Sequence, residues 1–151
     1  LLHLEEKRDK DRDNWQEAMA LSSSFDMMEE AREKLDFYKK QEKEIETVSL
    51  MIGLYCQKKH GTKKGELCPE CRQLLDYVKF RRMKCPWGDK KTFCGNCSIH
   101  CYKPDMREKI ARVMRFSGPK MVFYHPVIAF SHLAETKRQK RKLKKAEEKK
   151  A

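Results

Sequence analysis

All seven cysteines of this 151-residue chain lie between positions 56 and 101, grouped as Cys56-x3-His60, Cys68-Pro-Glu-Cys71, Cys85-Pro, and Cys94-Gly-Asn-Cys97-Ser-Ile-His100-Cys101. A fold built on this chain has to gather those thiols, and the chemical setting decides into what. The chain opens at Leu1 and runs into Glu5, Glu6, Lys7 and Arg8, with no secretory or transit signal in view, so a reducing, cytoplasmic compartment is the expectation. There, paired CxxC steps favour a metal over disulfides, because two thiolates separated by two residues grip one ion from a single turn. A redox dithiol at Cys68-Pro-Glu-Cys71 lacks the βαβ setting that such motifs use.

The spacing offers more than one way to divide the ligands. Cys56 and His60 form an i,i+4 pair on one helix face, and Cys68 and Cys71 begin the next helix, which makes a closed four-ligand site across a helical hairpin. Cys85, Cys94, Cys97 and Cys101 then supply an all-thiolate second set. A cross-braced division also satisfies the spacing: Cys68, Cys71, Cys94 and Cys97 as one ribbon-like set, with Cys56, Cys85, Cys101 and either His60 or His100 as the other. The plain alternative treats Cys56 as a small core residue and His60 as a surface one. His100 reads equally as a donor to a sulfur or a surface residue. Zinc suits mixed Cys/His ligation between helices and is the first expectation, while an iron-sulfur cluster is the alternative for Cys85, Cys94, Cys97 and Cys101.

Only six Gly and five Pro accompany 38% charged residues, which leaves a β-sandwich or low-complexity chain with little support and favours an all-α fold of about four helices. Asp26 and Glu29 have capping-box spacing, and Ala31, Leu35, Tyr38, Ile45, Val48, Ile52 and Tyr55 recur at helical intervals, predicting a long helix over 27–59. Its first half has few apolar neighbours and is expected to be exposed or paired with a partner. A second helix is predicted from Cys68-Pro69 to about Arg82. Cys85-Pro86-Trp87-Gly88 reads as a turn, and 89–103 as an irregular loop. A third helix begins at Pro104-Asp105, with Glu108 completing a capping box, and is expected to stop at Gly118-Pro119. A fourth begins near Pro126 and dissolves into the tail. Residues 1–22 are polar and weakly periodic, so a helix there is expected to be marginal.

Charge divides the chain the same way. Residues 1–49 carry 14 acidic and 9 basic side chains, 50–135 carry 7 and 17, and 136–151 carry 2 and 9, so the net +12 is the sum of −5, +10 and +7. The organisation expected is an acidic helical lead over 1–43, a Cys-rich metal-binding core over 44–135 and a basic low-complexity tail over 136–151. The longest apolar run, Met121 to Tyr124 and on to Phe130, falls short of the roughly 20 residues a bilayer span needs, so no membrane is expected. Arg107, Lys109, Arg112 and Arg115 on the third helix, with the tail, form a candidate nucleic-acid surface, although an amphipathic helix needs a polar face in any case; the tail reads as a solvated helix end or as an arm for nucleic acid or an acidic partner. No Ser/His/Asp set, carboxylate pair or Gly-rich phosphate loop is present, and a non-enzymatic role is expected.

Several strings in order carry a resemblance: the run Glu46 to Cys56, LCPECRQLLDYV at 67–78, KCPWGDKKTFCGNCSIHCYKPDMREKI at 84–110, and MRFSGPKMVFYHPVIAFSHL at 114–133. Together they resemble the bacterial nitrous oxide-stimulated promoter family over about residues 44–135. That name describes how a gene is regulated and not a reaction. The resemblance implies a small cytoplasmic protein of the nitrosative-stress response, with Cys56, Cys68, Cys71, Cys85, Cys94, Cys97 and Cys101 in the family's cysteine pattern and His60 and His100 in matching contexts. Nitrogen oxides modify thiolates and attack iron-sulfur clusters, which fits that setting.

Overall fold

The computed structural model describes residues 1–85 and 101–150. They form five helices in the order α1 Leu2–Leu21, α2 Phe25–His60, α3 Pro69–Met83, α4 Pro104–Tyr124 and α5 Pro126–Lys150, with no strand among the described residues. The all-α class is correct, with one helix more than expected. No helix among the described residues is long and apolar enough to cross a membrane. The turn at 85–88 beyond Cys85, and the irregular loop as far as His100, lie outside the described residues.

The extra helix is α1. Leu4, Arg8, Asp11, Arg12, Trp15, Ala18 and Met19 are half-buried at helical spacing, and this face packs along α2. The stripe is hard to see in the sequence because two of its positions are arginines, whose aliphatic stems pack while the guanidinium groups reach carboxylates. Arg8 pairs with Asp9, and Arg12 with Glu42 of α2. The first half of α2 is therefore paired within the chain itself. The second half of α2 meets α3 and α4, and a core forms from Ile52, Cys56, Cys71, Leu74, Leu75, Val78, Ile110 and Val113.

Three helix boundaries differ from expectation. Neither expected capping box forms: α2 is capped by Ser24 and α4 by Lys103, without a side-chain cap hydrogen bond in either case. Helix α4 continues through Gly118-Pro119 to Tyr124. An interior proline removes one backbone bond and costs about 3 kcal/mol locally, but burial on both sides offsets it. Ser117, fully buried, donates its hydroxyl to the Met51 carbonyl at 2.8 Å, and Met121 is buried again beyond the proline. Helix α5 runs through the basic tail, where no Gly or Pro follows Pro126 and Lys, Arg, Gln and Ala favour helix. Arg138 pairs with Glu135 at 2.9 Å, but nothing from 141 to 150 is covered.

Helix α2 ends at Gly61, in the left-handed region at φ 70°, and Gly65 at φ 84° turns the chain a second time, closing a short α2–α3 connection. An L side chain pays for this conformation at Gly61 even though a Cβ there would meet nothing within 4 Å. Gly61→Ala is thus expected to destabilise by about 1–2 kcal/mol, read as a lower urea midpoint at unchanged m-value.

Candidate metal centre

The last turn of α2 and the first turn of α3 face each other across that connection. Cys56 and His60 are one helical turn apart at the end of α2, Cys68 is the N-cap of α3, and Cys71 lies in its first turn. The Nδ1 or Nε2 atom of His60 and the three Sγ atoms all lie within 4.8 Å of one another. Cys68 Sγ and Cys71 Sγ approach His60 Nδ1 at 3.2 and 3.4 Å. A tetrahedral zinc ion with bonds near 2.0–2.3 Å sets its ligand atoms about 3.3–3.8 Å apart; the two approaches to His60 are of that order, and a spread within 4.8 Å leaves about 1 Å of closure at most around an ion.

Burial is graded around the set. Cys56 and Cys71 are buried members of the hydrophobic core, Cys68 is half-buried, and His60 is exposed. The sulfurs are held at the N-terminus of α3, where the helix dipole and free amides favour negative charge. The Cys68 amide donates to Cys56 Sγ at 3.3 Å, and the Cys71 amide to Cys68 Sγ at 3.5 Å. The Thr62 hydroxyl donates to Cys56 Sγ at 3.1 Å. The His60 ring meets Tyr55 edge to face at 5.5 Å, and Tyr55 in turn meets Phe116 of α4, so the third packed helix braces the histidine.

The electrostatics of the three sulfurs conflict in a way a cation resolves. Burial opposes ionisation of Cys56, but the Cys68 amide, the Thr62 hydroxyl and the two neighbouring thiols outweigh it and bring its pKa below the ordinary thiol value. Burial pushes Cys71 far in the other direction, reinforced by its hydrogen bonds to Cys68 and Cys56 and by repulsion from their charge. Without compensating positive charge one thiolate suppresses the next. A divalent cation at the centre removes that conflict, since metal binding and thiol deprotonation are linked.

Thr62 was not among the residues singled out by spacing. Hydroxyls that orient ligands carry no motif of their own, and only its place directly after Gly61 hinted at a contact. Partners of this kind typically govern 10–100-fold in metal affinity. Thr62→Val is expected to weaken by that factor whatever metal affinity the quartet has, measured by competition with a chromophoric chelator, while leaving the helical content unchanged.

The remaining expected site residues are distributed differently. Cys85 follows α3 and Cys101 precedes α4, both half-buried and neither in a disulfide, while Cys94, Cys97 and His100 lie outside the described residues. On α4, Arg107, Arg112 and Arg115 are exposed and Lys109 is half-buried. Lys109 pairs with Glu70 at 3.4 Å and Arg112 with Glu108 at 2.8 Å, so two of those four cations already face carboxylates.

The quartet, the C-terminal part of α2 and all of α3 lie within residues 39–145, and those residues match the sequence profile described as nitrous oxide-stimulated promoter. The chain belongs to the nitrous oxide-stimulated promoter family. The match extends at both ends beyond the 44–135 span in which the motifs are legible, taking in part of the region of α2 that packs on α1 and much of the basic half of α5. A protein of Escherichia coli strain K12 described as uncharacterized protein YgbA is 34% identical over 99 residues, covering 61% of this chain and 77% of that protein. No solved structure matches the chain. In this member of the nitrous oxide-stimulated promoter family, the donor set Cys56, His60, Cys68 and Cys71 could hold a metal ion and thereby staple α2 to α3.

Proposed function

We propose that the chain is a non-catalytic zinc protein of the response to nitrogen oxides, with zinc held by Cys56, His60, Cys68 and Cys71. The observation that carries this reading is the convergence of three sulfurs and an imidazole within 4.8 Å at the junction of two helices. Three thiolates and one imidazole are a usual zinc set, and zinc there supplies folding free energy and holds its thiolates ionised. Cys85, Cys94, Cys97 and Cys101 are the residues for a second site, filled by zinc or by an iron-sulfur cluster. The family name supports the setting, because thiolates and clusters are what nitrogen oxides modify.

Metal analysis with a visible spectrum on protein purified without oxygen tests this reading. About one zinc per chain that is lost in Cys71→Ser supports the first site, and broad visible absorbance with near-stoichiometric iron identifies a cluster at the second. Protein that is fully folded with neither metal in near-stoichiometric amount would refute the proposal.

A further inference from the structure

The elbow between α4 and α5 leaves several large apolar side chains open. Phe123, in the last turn of α4, is 84% exposed, and Val127 and Phe130, in the first turns of α5, are 81% and 62% exposed. Beyond them α5 carries nine basic and two acidic residues over 136–150. Contiguous apolar patches with a charged rim mark interaction sites.

The same chain carries a surface of opposite character. At the tip of the α1–α2 hairpin Leu21 is 78% and Phe25 76% exposed, with Met27 beside them. Beyond that tip, α2 presents Asp26, Glu29, Glu30, Glu33 and Asp36, all exposed, against only Arg32 and Lys34 over the same stretch. The order along the two helices is the same: an aromatic anchor first, then a run of one charge. Phe25 to Asp36 and Phe130 to Arg141 are both twelve residues of continuous helix, a rise of about 16 Å, so aligning the anchors places acidic and basic runs side by side.

We infer that the α4–α5 elbow and basic tail form a docking surface for the acidic α1–α2 hairpin of a second copy of this chain, the two contacts being exchanged reciprocally in a two-fold dimer. Neither surface is covered by the other within one chain, since both aromatic anchors stay open. Reciprocal exchange closes the assembly, where a single head-to-tail contact would propagate. The charge runs select the alignment and the apolar anchors supply the contact. This inference is independent of the metal reading.

The test is the solution mass of the 151-residue chain by sedimentation or light scattering over a concentration series in low and high salt. A mass of two chains that dissociates more readily at high salt is expected. Phe130→Asp, at an exposed position, should give a monomer with unchanged circular dichroism. Reversing the hairpin charges (Glu29→Lys, Glu30→Lys, Glu33→Lys) should weaken association at least tenfold, and so should reversing the tail (Lys137→Glu, Arg138→Glu, Arg141→Glu). Mixing those two variants should restore the dimer, because each hairpin then meets a tail of opposite sign. A wild-type chain that remains monomeric throughout, a dimer untouched by Phe130→Asp, or charge-reversed variants that do not rescue one another would overturn the inference. A monomer that binds anionic vesicles or nucleic acid through the elbow would overturn it equally.

Discussion

On the proposed zinc reading, Cys56→Ser is expected to abolish metal binding at the α2–α3 junction and to lose a large part of the stability of the three-helix core with it. Cys56 has no solvent exposure and packs among Ile52, Cys71, Leu74 and Val78, so the ligand is itself a core residue. A serine there removes one thiolate and places a hydroxyl in an apolar site. Structural zinc contributes apparent binding free energies of about 10–16 kcal/mol in small domains at neutral pH. Losing even about 5 kcal/mol in a chain of this length lowers the melting temperature by more than about 10 °C. Calorimetry with and without a strong chelator separates the two contributions. Wild type should melt much earlier with chelator, whereas Cys56→Ser should already melt early and respond little. A wild-type melting temperature that ignores the chelator would contradict the metal assignment, leaving only the packing cost of the substitution.

The second large effect is expected far from the cysteines, at Glu44. Arg82, near the end of α3, is buried with its guanidinium over the Phe37 ring, 5.7 Å from the centroid, and its Nε donates to Glu44 Oε2 of α2. Its two terminal nitrogens have no hydrogen-bond partner among the described residues. Removing one member of a buried pair leaves an uncompensated charge and costs about 3–5 kcal/mol; because Glu44 keeps about a quarter of its exposure, the lower end applies. Glu44→Leu should therefore destabilise by about 3 kcal/mol in urea denaturation. Combined with Arg82→Met, the loss should largely disappear, since apolar replacements of a buried pair are often neutral or stabilising. A double variant no more stable than Glu44→Leu would show that the arginine contributes packing which methionine does not replace.

These two sites differ in how far the sequence announced them. The metal site could be enumerated in advance, because metal ligation depends on residue type and spacing, and Cys56-x3-His60 with Cys68-Pro-Glu-Cys71 carried both. The spacing left the hairpin and cross-braced divisions open, and the observed convergence is that of the hairpin set. Gly61 and Gly65 are what turn α2 back onto α3. The Arg82–Glu44 pair spans 38 positions and has no local pattern at all. Helix α1 was similarly hidden, because its buried stripe uses arginine stems where a periodicity argument looks for apolar side chains. At Pro119 a correct local rule was overruled: the proline does break the backbone ladder, yet Ser117 and Met121 gain burial by continuing the helix.

The sequence by itself determined the all-α class, the clustering of the thiols and the opposed charges of the two ends, since each follows from composition and short-range spacing. Only the tertiary structure decided that Cys56, Cys68 and Cys71 converge with His60, where α1 packs and how far α4 and α5 run. Those outcomes depend on contacts between residues distant in the chain, whose burial energies exceed the local preferences that a sequence displays.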